Sequence, residues 1–125
     1  MDFKNLLAYQ KGYDLAMQIF EISKSFPKEE TYSLTDQIRR SSRSVCANIS
    51  ESYRKRRYPK HFISKLTDSD GENSETSTWL DFAKDCGYIS EDTHNDLNRQ
   101  STEVGKLINY MINNPDKFGA DTDKS

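Results

Sequence analysis

Nine basic side chains crowd into one stretch of the chain: Arg39, Arg40, Arg43, Arg54, Lys55, Arg56, Arg57, Lys60 and Lys65. Only Glu51 opposes them there. The stretch therefore carries +8, and the remaining nine cations and nineteen acids leave the rest of the chain at −10. The net charge of −2 alone points to no polyanionic partner, but so lopsided a split is a statement about surfaces. Arg39 and Arg43 share a helix face at four-residue spacing, with Arg40 beside them. Arg54, Lys55, Arg56 and Arg57 follow in what should be the last turn of the same helix, and His61 and Lys65 come just after it. Guanidinium groups bond phosphate oxygens bidentately. The interleaved Tyr53 and Tyr58 offer rings on which exposed bases can stack. These residues suit the backbone of RNA or DNA.

Blander readings compete. Cations at a helix C-terminus each stabilise its dipole by about 0.3 to 1 kcal/mol, which accounts for two or three of Arg54 to Arg57. An acidic third helix could neutralise Arg39, Arg40 and Arg43, within the chain or between subunits, or the charges could simply be a solvated face. Four consecutive cations exceed what a C-terminal dipole can use, so nucleic acid is the preferred reading.

The other reactive side chains form no constellation. His61 and His94 belong to no metal-binding pattern. Asp68, Asp70, Glu72 and Glu75 look like a calcium loop only until Gly71 is placed, because such a loop wants its glycine sixth and this one is fourth. An acidic helix face is the better reading. A dimetal centre in a bundle needs Glu-x-x-His pairs on two helices, and none is present. There is no glycine-rich phosphate loop and no serine with a motif-placed base. Cys46 and Cys86 lack close-spaced partners and read as free thiols in helix packing. No metal, no cofactor and no catalysis are expected.

Helices must position the basic run. The first is expected over about residues 2–25, with Phe3, Leu6, Tyr13, Met17 and Phe20 as its apolar stripe, widened by Leu7, Ile19 and Ile22. Phe26-Pro27 ends it. Ser33, with Asp36 three residues on, should cap a second helix that runs to about Arg57. Its inner face is Leu34, Ile38, Val45, Ile49 and Tyr53, and its many small residues predict the most buried helix. Tyr58-Pro59 restarts the chain. The third helix, to about Cys86, carries an unbroken seam of Phe62, Leu66, Ser69, Asn73, Thr76, Leu80 and Ala83. The polar centre of that seam and the mid-helix Gly71 both suggest tight packing there. Gly87 suits a left-handed cap. Ser90 should cap a fourth helix with Leu97, Val104, Ile108 and Met111 inside, stopped at Asn114-Pro115.

Short connectors make neighbours antiparallel, so the expected fold is all-α: an up-down-up-down four-helix bundle in a single domain over residues 1–115, followed by a polar, frayed tail over residues 116–125. Hydrophobic residues are 34% of the chain and charged ones 30%, enough for one apolar stripe per helix. No apolar run approaches the roughly 18 to 20 residues that span a bilayer. The first residues lack a signal-peptide stretch, so a cytoplasmic protein without membrane contact is expected.

Phe26-Pro27-Lys28-Glu29-Glu30, Tyr32, Leu34, Gln37-Ile38-Arg39-Arg40-Ser41, Ser44-Val45, Asn48-Ile49 and Glu51 resemble the 23S ribosomal RNA intervening-sequence proteins. That four-helix-bundle family is similar to the accessory variability determinants of diversity-generating retroelements. The order of elements agrees over about residues 3–113, with Leu7, Tyr9, Lys11, Leu15 and Ile19-Phe20 fitting the first helix and Gly87-Tyr88-Ile89 the third connector. Cys46 stands where the family often has proline, Ser50 and Ser52 replace its alanine and glycine, and Tyr9 replaces a common tryptophan. The second helix should be straighter and longer in consequence. The resemblance implies a homo-oligomer, a pentameric ring of bundles. Through the retroelement relatives, it also implies nucleic acid and a reverse transcriptase as partners. It strengthens the fold more than the function. The rival to nucleic-acid binding is a scaffold oligomer whose charges serve only subunit or protein contacts.

Overall fold

Proline and glycine punctuate the chain close to where the sequence predicts. The structure, a computed structural model, describes residues 2–120. It contains α1 (Leu7–Ser23), α2 (Leu34–Arg54), α3 (Pro59–Asp85) and α4 (Glu91–Asn113), with 3-10 turns at Phe3–Asn5, Lys28–Glu30 and Pro115–Phe118. No strand occurs among the described residues. Each helix packs on its neighbour in chain order and α1 closes on α4, so the architecture is the expected antiparallel four-helix bundle. No helix of the described residues is long and apolar enough to cross a membrane.

The pair α2 and α3 forms the spine. Every residue of the predicted α3 seam is buried. α2 buries ten of its 21 residues, and all five of its predicted inner positions are among them. The polar middle is fully partnered. Ser69 Oγ donates to Val45 O at 2.8 Å, Ser41 Oγ and Thr76 Oγ1 lie 2.8 Å apart, Asn73 Nδ2 donates to Ser101 O at 2.8 Å, and Ser101 Oγ returns a bond to Asn73 Oδ1 at 3.2 Å. Buried hydroxyls and amides left unpaired would each cost about 1 to 3 kcal/mol. Here they bind the helices to one another.

Gly71 plays no part in that layer. It is exposed, with nothing within 4 Å of where a Cβ would sit. Close approach falls instead on Gly105, whose Cβ would meet Asn73 Nδ2 at 3.3 Å, and on Gly12, whose Cβ would meet Cys46 Sγ at 3.3 Å. The expected α1 stripe is also corrected. Tyr13 and Met17 are 51% and 46% exposed, and the buried face is Ala8, Gly12, Leu15, Ala16 and Ile19. Small residues let α1 lie close to α2, which turns the aromatic side outward. Residues 3–5 form a separate turn because Leu6 is extended (φ −70°, ψ 130°).

The connectors differ in detail. Ser33 makes no side-chain cap; Glu30 does the work, its Oε1 accepting from Ser33 Oγ and from Leu34 N at 3.3 Å. Gly87, at φ +80°, ends α3 with Tyr88 N bonded back to Ala83 O at 2.8 Å, and Ser90 Oγ accepts from Thr93 N at 3.1 Å. Cys46 is buried, and burial, with the Asp14 charge second, pushes its thiol up to about 12; Cys86 is exposed rather than packed. The packed structure does not stop at residue 115. Phe118 rests against the core and Ala120 is fully buried, so residues 116–120 are not a frayed tail; residues 121–125 lie outside the described residues.

Candidate nucleic-acid interface

Arg39 and Arg43 do share a face of α2, and that face turns to α1, away from the acids of α3. Arg39 Nε donates to Ser23 Oγ at 2.8 Å. The Arg39 and Arg43 guanidinium carbons lie 4.8 and 5.6 Å from the centre of the Phe20 ring, and Lys24 Nζ lies 4.9 Å from it. An aromatic face attracts cations without neutralising them. Arg40 takes the other side of the helix, 3.5 Å from Asp36 on α2 itself, an exposed pair of little energetic weight. On α3, desolvation first and Glu75 second hold Glu72 above its ordinary range, against a smaller pull from Arg40. The acids of α3 crowd one another rather than pairing with Arg39 and Arg43.

Lys65 is satisfied within the chain. Its Nζ lies 3.0 Å from Glu51 and 3.9 Å from Asp68, and the hydrogen bond to Glu51 is the main cause that raises its ammonium above the usual lysine value. Among the described residues, Arg39, Arg43, Arg54, Lys55, Arg56, Arg57 and Lys60 form no salt bridge. Seven of the nine predicted cations thus stand without a carboxylate.

α2 stops at Arg54, so residues 55–57 lie in the turn beyond it rather than in the helix. There Arg56 folds back. Its Nε donates to Tyr53 O at 2.8 Å, its Nη1 to Phe118 O at 3.4 Å, and its guanidinium carbon sits 3.6 Å from the Tyr53 ring centre. Tyr53 is only 6% exposed and its ring is covered, so it cannot stack on a base; Tyr58, at 58%, remains available. Arg54, Arg56 and Arg57 line one groove of about 690 Å³, walled by Phe3 and Tyr53 and bordered by Gly119.

The helix joins this groove to the Phe20 cluster. Arg43, Ala47, Ser50 and Arg54 recur along one side of α2, and at 1.5 Å rise per residue Arg43 and Arg54 are about 16 Å apart along the axis. Between them runs a smaller depression lined by Tyr13 and Met17 of α1 and by Phe3, which also borders the Arg54 groove. Phe3, Phe118 and Gly119 were not expected at the site. The one sequence signal for the last two was an aromatic residue soon after Pro115 in an otherwise polar tail. Elsewhere, among the described residues, no three His, Cys, Asp or Glu side chains converge as metal ligands would. His94, buried, holds Asp81 at 2.7 Å; His61 is exposed and packs edge-on against Tyr58.

Residues 4–110 match the family described as 23S rRNA-intervening sequence protein. A crystal structure of a protein with unknown function from the S23 ribosomal protein family of Bacteroides thetaiotaomicron VPI-5482 is similar to this chain. The two are 30% identical, the match covers 86% of this chain and 96% of the other, and the TM-score is 0.78. No curated protein matches the chain.

Proposed function

This chain belongs to the 23S rRNA-intervening sequence protein family, and from that footing we propose a non-enzymatic, homo-oligomeric bundle that binds the backbone of RNA or DNA through the α2 face and the turn after it. The observation that carries this reading is the set of seven cations that have no carboxylate partner among the described residues, gathered on α2 and the chain just beyond it while the rest of the molecule is acidic. Unpaired guanidiniums repel one another, and phosphates relieve that repulsion while releasing counterions. The contacts would be to phosphates, which position a nucleic acid without reading its sequence.

Assembly draws support from exposed apolar side chains. Leu7, Tyr13 and Met17 expose about half their area on α1, as does Phe82 on α3. The groove between α1 and α4 has an apolar floor of Met17, Ile22 and Leu97 and an acidic rim of Glu21, Asp92 and Asp96. Contacts between unlike patches of one chain are head-to-tail, and they close into a ring where the rotation between copies allows it. Resemblance favours five copies. Light scattering should then report about 72 kDa for five copies of the 14.5 kDa chain.

Titrating the oligomer with mixed RNA and DNA pools at two salt concentrations tests the nucleic-acid reading. Affinity should fall with a log–log slope of about −0.9 per phosphate for duplex DNA and about −0.7 for single strands. An intact oligomer with no measurable affinity at about 50 mM salt would leave the scaffold reading in its place.

A further inference from the structure

We propose that the groove at the end of α2 is a site for a phosphate monoester dianion, the group carried by a nucleic-acid end or by a free nucleotide; this deepens the backbone-binding reading and rests on it. A phosphodiester backbone presents single charges in a row, which suits the spaced cations Arg43 and Arg54. The groove is different. Three guanidiniums, Arg54, Arg56 and Arg57, line one concavity of about 690 Å³, within the roughly 300 to 1,000 Å³ typical of small-molecule sites. Among the described residues one carboxylate, Asp2, lines it; it accepts Lys4 N at 3.4 Å and offsets one of the three cations. The negative end of the α2 dipole amounts to about half a charge, enough to offset part of one cation but not three.

Arg56 is set in place before any ligand arrives. Two of its donors and its flat face are spent on Tyr53 and Phe118, so its remaining N–H groups have a fixed direction while exposed Arg54 and Arg57 stay free to close. Gly119 makes this possible. It adopts φ +87°, a conformation that other residues rarely take, and a Cβ there would crowd Arg56 Nη1 at 3.1 Å, so glycine lets the returning chain lie against the guanidinium. Three permanent positive charges favour the doubly charged form of a phosphate. A monoester loses its second proton near pH 6, whereas arginine stays charged throughout.

The test compares one short oligoribonucleotide bearing a terminal phosphate with the same oligomer ending in hydroxyl, at about pH 5.5 and pH 7.5, and a nucleoside 5′-monophosphate followed by NMR at the Arg Nε signals. The phosphorylated RNA should bind about tenfold more tightly at the higher pH, as one added charge-assisted contact would give, and keep only about a quarter of that advantage at the lower, where roughly a quarter of the monoester is dianionic. Arg57→Ala, at an exposed side chain, should abolish the advantage and weaken the hydroxyl form only by the loss of one backbone contact; Gly119→Ala should weaken the advantage by displacing Arg56. Equal affinity for the two RNAs at both pH values overturns the monoester site and leaves backbone binding standing. Arg56 signals that move with the mononucleotide while neither RNA binds support the site with a free nucleotide as its ligand and overturn the nucleic-acid reading. Silence in both measurements overturns the two together.

Discussion

The middle of the bundle and the rim of α2 are both unusually polar for a helical protein, and they treat their polar groups in opposite ways. Between α2, α3 and α4, the side chains of Ser41, Ser69, Asn73, Thr76 and Ser101 are each bonded to another protein group across helices. On the rim, Arg43, Arg54 and Arg57 are exposed and without carboxylates among the described residues. Polar groups that find partners inside the protein fix how helices dock, because a shifted register would leave them buried and unpaired. Charges that find none contribute little to folding and retain their capacity for an outside ligand. Partnering, rather than polarity, separates the residues that make the fold from those that could serve a function.

The largest effect should come from breaking the inner set. Asn73→Ala removes the donor to Ser101 O and the acceptor of Ser101 Oγ. It should lower unfolding stability by about 3 kcal/mol in a denaturant titration, with nucleic-acid affinity of the folded fraction unchanged. A loss under about 1 kcal/mol would mean that the layer is not the specifying element proposed.

The outer set should respond in the opposite sense. Replacing Arg54, Arg56 and Arg57 together by alanine should weaken nucleic-acid binding by about 2 kcal/mol, roughly thirtyfold, and lower the salt slope by about 2 to 3. Helical content should hold, since alanine forms helix better than arginine and two of the three lie beyond α2. If the triple variant instead falls apart into monomers while binding was absent from the start, the charges serve subunit contacts and the contrast between the two regions collapses.

The same contrast governs what the sequence could reveal. The α3 seam was legible in full, polar members included, because its four-three spacing marks the inner line whatever residues occupy it. α1 was legible only in part: Leu6 and Ile19 are buried as expected, but Ala8, Gly12 and Ala16 form much of its packing face and a stripe judged by side-chain bulk selects Tyr13 and Met17 instead. That Arg39 and Arg43 share a face follows from their spacing. That the face meets Phe20 rather than the acids of α3 depends on how helices rotate against each other, which spacing along one helix does not encode. Tyr53 belonged both to the inner face and to the basic run; burial decided, because an aromatic ring gains more from the core than from water. The return of Phe118 and Gly119 to Arg56 is a contact between residues 62 apart in the chain, beyond any local pattern.

A third polar group lies between the two extremes and should give the smallest effect. Glu30 is near the surface yet fully partnered, accepting from Ser33 Oγ, from Leu34 N and from Tyr88 Oη at 2.9 Å, so it ties the first connector to the third. The bonds from Ser33, then Tyr88, then Leu34 hold its carboxyl below the ordinary 4.5. The unfolded chain has the ordinary value, so this contribution is complete above pH 4.5 and disappears as pH falls through the lower folded value. Tyr88 shows the mirror image. Its bond to Glu30 is the chief cause that pushes the phenol from 10.0 up to about 12, so that contribution is complete below pH 10 and disappears as pH rises through about 12. Glu72, raised by burial, works against Glu30 on the acid side, gaining stability as its carboxyl protonates, so the informative quantity is the difference between variants. Glu30→Gln and Tyr88→Phe should each flatten the acid limb of stability against pH relative to the parent protein, measured by thermal melts from neutral pH down to about pH 3. Tyr88→Phe should also flatten the alkaline limb. If both variants keep the parent's acid limb, the connector bond is only a surface contact, and only the inner layer and the free rim remain as distinct classes.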